Sequence, residues 1–178
     1  MSKSWELQAR EFADAIYPYI KRRIARKEFY EDFEDVIWNA VYDYKKAHKH
    51  NKLRVEAGAT RVCIIGREYV LKFDLGDNVK NFGGCTAELE MYKKAKRDGY
   101  SHLFAKCFKF VLHGYTFFAM EKIDHVGNVY KNNWTDDEKK YIRKNVMDMH
   151  SYNYGSKGDH VVIIDYAYNH NWADTGSL

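Results

Sequence analysis

The hydrophobic pattern of this chain changes period near Leu53, which requires two kinds of secondary structure in one molecule. Upstream, Trp5, Ala9, Phe12, Ile16 and Ile20 recur every three or four residues, the spacing of a helix that buries a single stripe. A second stripe follows through Phe29, Phe33, Val36, Ile37, Ala40, Val41 and Tyr44. Pro18 interrupts the first stripe and, lacking an N–H, predicts a kink or a split there. Downstream, apolar residues come in short runs at 53–57, 61–65 and 69–73, rich in β-branched and aromatic side chains and punctuated by Gly58 and Gly66. These predict a meander of antiparallel strands. A polar stretch over 76–84 leads into a helix at 86–97. Strands at 104–112 and 115–123 follow, joined by His113-Gly114 as a tight hairpin. Thr135-Asp136-Asp137-Glu138 has capping-box spacing and opens a helix expected to run to Met147. A last buried strand, 161–164, ends at Asp165 after a polar loop. The order is that of an α+β fold.

Composition narrows the function classes. A hydrophobic share of 46% beside 30% charged residues supports a buried core and argues against disorder along the whole chain. With 15 Tyr and 10 Phe, large rings must supply much of the packing. No apolar run approaches the roughly 20 residues that span a bilayer, and Met-Ser-Lys-Ser-Trp-Glu lacks the apolar core of a secretion signal. The expectation is a soluble cytoplasmic protein with no membrane partner. Cys63, Cys85 and Cys107 lack Cys-x-x-Cys spacing, and no His pair has metalloprotease spacing, which argues against a dedicated Cys/His metal site. Cys63 and Cys107, in apolar runs, read as core residues, whereas Cys85 comes just before a helix. The basic cluster from Lys21 to Lys27 is followed at once by Glu28, Glu31 and Asp32. It reads as a solvated helix face and argues against nucleic acid as a partner.

The densest polar constellation is Asp148-Met149-His150-Ser151-Tyr152-Asn153, with Asp148 expected at a helix end and Asp165 leaving an apolar strand further on. Each residue alone has a plain structural reading, a turn cap for Asp148 and a strand end for Asp165. Together they form the set that phosphoryl transfer requires. One carboxylate orients the attacking hydroxyl, while an amide and a second carboxylate hold Mg²⁺ against the phosphates.

With these residues in this order, the sequence over roughly 53–168 resembles the protein-kinase-like superfamily. The nearest likeness is to its aminoglycoside- and choline-kinase-type branch and to small kinase-like proteins of bacteriophages. The resemblance implies a minimal kinase-like α+β fold. An N-terminal helical extension (1–52) would precede an antiparallel five-stranded N-lobe (53–123) and a truncated C-lobe (124–178). It implies ATP and Mg²⁺ as cofactors, with Asp148 as catalytic base and Asn153 and Asp165 on the metal. It places Lys72, in Tyr69-Val70-Leu71-Lys72-Phe73, on the α- and β-phosphates. Glu88 is the expected partner of Lys72, with Glu90 the competitor. Met91 and Tyr92, three and four residues past Glu88, turn the same helix face inward. Gly58 and Thr60 would lie in the phosphate-covering loop. Glu121 and Lys122 would form the hinge that pairs with adenine, beside Met120 as gatekeeper.

The sequence departs from the family pattern in four places. The loop at Gly58 lacks the full Gly-x-Gly-x-x-Gly series. Val146-Met147 precedes the catalytic Asp in place of His-Arg. Tyr166-Ala167 follows the metal Asp in place of Phe-Gly. Leu178 comes only thirteen residues after Asp165. The implied activity is phosphotransfer from ATP to a hydroxyl of a protein or small molecule. The alternative is a catalytically weak or inactive phage-type module that binds a host protein in the host cytoplasm.

Overall fold

The computed structural model describes residues 3–26, 32–49, 52–76, 83–125, 134–149 and 151–170. Lys27, Glu28, Phe29, Glu31, most of the polar stretch at 76–84, and His150 lie outside the described residues. The described residues form an α+β structure of four α-helices, an antiparallel five-stranded sheet and a three-stranded sheet. The chain divides into two compact units, one of 1–75 with 109–122, the other of 76–108 with 123–178.

In the first unit, α1 (Trp5–Arg26) buries Ala9, Phe12, Ala13, Ile16 and Ile20 along one face. Of the kink or split expected at Pro18, the split does not form, and α1 runs through it. Pro18 is solvent-exposed, so water can serve the carbonyl of Asp14 that it leaves without a helical donor, while Ile16 and Ile20 stay buried on either side. A capping box opens α2 (Phe33–His48): the Asp35 N–H donates to Asp32 Oδ1 at 3.0 Å, and the Asp32 N–H donates to Asp35 Oδ2 at 3.4 Å. Phe12 meets Tyr44 edge-on at 5.3 Å and Tyr69 at 5.5 Å, which ties both helices to the sheet.

The sheet comprises β1 (Arg54–Ala57), β2 (Arg61–Ile65), β3 (Tyr69–Asp74), β4 (Cys107–Leu112) and β5 (Tyr115–Glu121), in the order β1-β2-β3-β5-β4. Its register sets Cys63 and Phe118 on either side of Lys72. His113 and Gly114 both take positive φ, 51° and 81°, as the expected tight hairpin between β4 and β5 requires.

The second unit contains α3 (Cys85–Arg97), β6 (Asp124–His125), α4 (Asp136–Asn145), β7 (Tyr154–Lys157) and β8 (His160–Ile163), with a sheet order of β6-β7-β8. The stretch read as a polar loop before the last strand is therefore itself a strand, paired antiparallel with β8. Tyr-Gly-Ser-Lys lacks an apolar alternation, so its pairing comes from β8 and not from its own pattern. The Thr135–Glu138 capping box forms as its spacing predicts. α4 ends at Asn145, short of Met147, because Val146 turns extended and bridges to Asn169. Asp148 accordingly lies three residues beyond the helix and not at its end. Cys63 and Cys107 are only half-buried and not the core residues that their apolar neighbours suggest, whereas Cys85 is buried. The first turn of α3 faces inward, whereas the strands carrying the other two expose part of that face.

Candidate functional site

The two ends of the Asp148–Asn153 motif are tied together in the second unit. Asn153 is buried, and its Nδ2 donates to the Asp148 carbonyl at 3.0 Å, closing the loop across its ends. Tyr154, next along, donates its hydroxyl to the Met149 carbonyl at 2.9 Å. Burial, and then the negative charge of Asp148, push the Tyr154 phenol above its ordinary value, so it remains a donor. The Ile164 N–H donates to the Asn153 carbonyl at 2.8 Å, joining the loop to the strand end that carries Asp165. Asp148, Asn153 and Asp165 thus belong to two loops fastened together through backbone and amide groups. Both carboxyl residues are half-buried.

The segment after Asp165 is held on several sides. The Tyr166 N–H donates to Glu88 Oε1 at 3.4 Å, and the Met147 N–H donates to the Tyr168 carbonyl at 3.1 Å. The Tyr166 ring packs edge-on to Phe104 at 5.0 Å, and its hydroxyl donates to the Ala105 carbonyl at 2.6 Å. Cys107 Sγ lies 3.3 Å from the same hydroxyl. Burial, followed by the charges of Cys107 and Glu88, raises the Tyr166 phenol well above its usual value. Glu88 is 2% exposed on the inward face of α3 with Met91, whereas Glu90 is a surface residue paired with Lys93 at 2.7 Å.

The remaining predicted residues lie in the first unit. Lys72 is 7% exposed on β3, and Glu121 is buried at the end of β5, opposite Tyr69. Lys122 donates its backbone N–H to the Glu68 carbonyl at 3.0 Å, and Met120 is buried beside it in sequence. In the β1–β2 turn, the Gly58 N–H donates to the Arg61 carbonyl at 2.9 Å, and Thr60 accepts from the Leu75 N–H at 2.7 Å. A Cβ on Gly58 would meet no atom within 4 Å, so the fold itself does not demand glycine at this turn.

Two oxygen donors from two fastened loops suit Mg²⁺, which takes one or two carboxylates and completes its shell with water and phosphate oxygens. The Asn153 amide uses its N–H on the loop, leaving Oδ1 as a hard ligand atom. Among the described residues, no group of three or more His, Cys, Asp or Glu could hold a metal alone. No described helix is long and apolar enough to cross a membrane. Comparison with protein-family models, curated proteins and solved structures returns no match to this chain. Sequence reasoning missed Tyr154, Tyr168 and Asn169, which orient the loops. Their contacts are mostly to backbone carbonyls, and backbone partners leave no residue pattern to read.

Proposed function

We propose that the chain is an ATP- and Mg²⁺-dependent phosphotransferase of the protein-kinase-like type, acting on a hydroxyl of a protein or small molecule. The observation that supports this most directly is the pairing of Asn153 Nδ2 with the Asp148 carbonyl at 3.0 Å. It ties the two ends of Asp-x-x-x-x-Asn together, and the bond from the Ile164 N–H to the Asn153 carbonyl fastens them to the segment that carries Asp165, which supports a shared role for the three residues. In this reading Asp148 orients the acceptor hydroxyl and takes its proton. Lys72 neutralises phosphate oxygens, Glu88 orients Lys72, and Asn153 and Asp165 hold the metal. Bound Mg²⁺ supplies charge neutralisation at the phosphates. Gly58 and Thr60 would cover the phosphates, and the backbone of Glu121 and Lys122 would pair with adenine.

Calorimetric titration with ATP, with and without Mg²⁺, tests the reading. Metal-dependent binding is expected for the native chain and lost in Asp165→Ala. Asp148→Ala should bind nucleotide nearly normally and transfer no phosphate. Absence of nucleotide binding under every condition would sink the proposal.

One observation favours a second reading, a kinase-like binding module directed at a host protein. Trp38 and Tyr42 stand one turn apart on α2, exposed by 46% and 65%, and are residue types that anchor protein interfaces. A stoichiometric complex that persists with Lys72→Ala and Asp165→Ala and dissolves with Trp38→Ala would favour it.

A further inference from the structure

The segment that follows Asp165 carries a buried amide with no part in the motif. Asn169 is 1% exposed, and its Nδ2 donates to the carbonyls of Tyr166 at 2.9 Å, Ala167 at 3.0 Å and Ala87 at 3.4 Å. The first two contacts curl the segment 166–169 on itself, and the third fastens it to the first turn of α3, one residue before Glu88. Gly83 lies against the same two segments. It has φ +71°, and a Cβ there would lie 2.5 Å from the Ala167 carbonyl oxygen and 2.8 Å from Ala87 Cβ. Only glycine permits that approach. Glu88 Oε1 takes the Tyr166 N–H, and the Tyr168 carbonyl takes the Met147 N–H just ahead of Asp148.

We propose that Asn169 is a positioning residue: its amide latches the segment 166–169 to α3, so that Glu88, Asp165 and the approach to Asp148 are held as one rigid group. A buried carboxamide that lost these carbonyls would leave polar groups without partners in a low-dielectric interior, which makes the latched arrangement strongly preferred. The two carboxylates then keep a fixed relation without a bound ligand. The consequence for catalysis rests on the phosphotransfer reading, but the latch itself does not.

Amide hydrogen exchange of the native chain, Asn169→Ala, Asn169→Leu and Gly83→Ala separates the two. In the native chain, the Tyr166 and Met147 amides should be protected to a similar degree. Each substitution should speed their exchange about ten-fold or more, while β2 and β3 keep native protection. Leucine fills the volume of Asn169 without donors, so native exchange in Asn169→Leu would show that packing and not the amide holds the segment, and the latch would be wrong. Should Asn169→Ala fail to fold, Asn169→Leu and Gly83→Ala decide the matter. In the same variants, ATP binding should require about ten-fold more Mg²⁺, whereas a purely structural role would leave the metal requirement alone. If the native chain binds no nucleotide, the phosphotransfer reading falls, and exchange alone decides the latch.

Discussion

The Tyr166 hydroxyl is a polar group buried in the second unit. Its bond to the Ala105 carbonyl explains why it is tolerated: both groups are buried, and each satisfies the other. Tyr166→Phe leaves that carbonyl without its donor and should cost about 1–2 kcal/mol in denaturant unfolding. Unchanged stability would show that the carbonyl finds another partner. Glu138 gives a second expectation at this scale. Burial raises its carboxyl, but the bonds from His102 at 2.6 Å and from Thr135 outweigh it, and the net shift is below the ordinary value of 4.5. A carboxyl held low in the folded state contributes stability that is present above its unfolded value and lost as pH falls through the folded one. The acid limb of unfolding should therefore begin below about pH 4.5 and flatten in Glu138→Gln. An identical acid limb in the variant would remove Glu138 from the account.

At the scale of elements, α1 and α2 are the cover of the five-stranded sheet and not an appendage. α1 contributes five buried apolar residues and α2 another five, and Phe12 reaches Tyr69 on β3. Each large side chain buried in this way is worth about 1.5–3 kcal/mol. A chain starting at Lys52 would open that sheet face to water and should be insoluble or molten by near-UV circular dichroism. A soluble product with a native melting temperature would show that the sheet stands without its helices. These elements were legible because their signals are local: the stripe of α1, the Thr135–Glu138 box and the His113-Gly114 turn each lie within a few residues. The strands β6 and β7 were not. Asp124-His125 and Tyr154-Gly155-Ser156-Lys157 have no strand pattern of their own: the second pairs on the edge of β8, and the first on the edge that the second then offers. At Pro18 the helix did not split, since a buried stripe that continues past it offsets the missing helical bond. For the candidate site, Asp148, Asn153 and Asp165 were readable from type and spacing, whereas Asn169 acts on backbone carbonyls and leaves no such trace.

The phosphotransfer reading assigns Lys72 and Asp165 to one nucleotide, which makes ligand linkage an informative measurement. A ligand that binds only the folded state stabilises it by RT ln(1 + [L]/Kd), about 2.7 kcal/mol at a hundred-fold excess over Kd. ATP with Mg²⁺ should therefore raise the melting temperature with a saturable dependence on nucleotide. Lys72→Ala and Asp165→Ala should each remove most of that rise, although they lie in different units. A rise that survives Lys72→Ala but not Asp165→Ala would confine nucleotide binding to the second unit and strip Lys72 of its assigned role. A rise that survives both would place the nucleotide elsewhere and leave Asp-x-x-x-x-Asn as scaffold. Loss in both is the outcome that the phosphotransfer reading requires, because Lys72 and Asp165 are there assigned to the same phosphates and neither carries the chemistry alone.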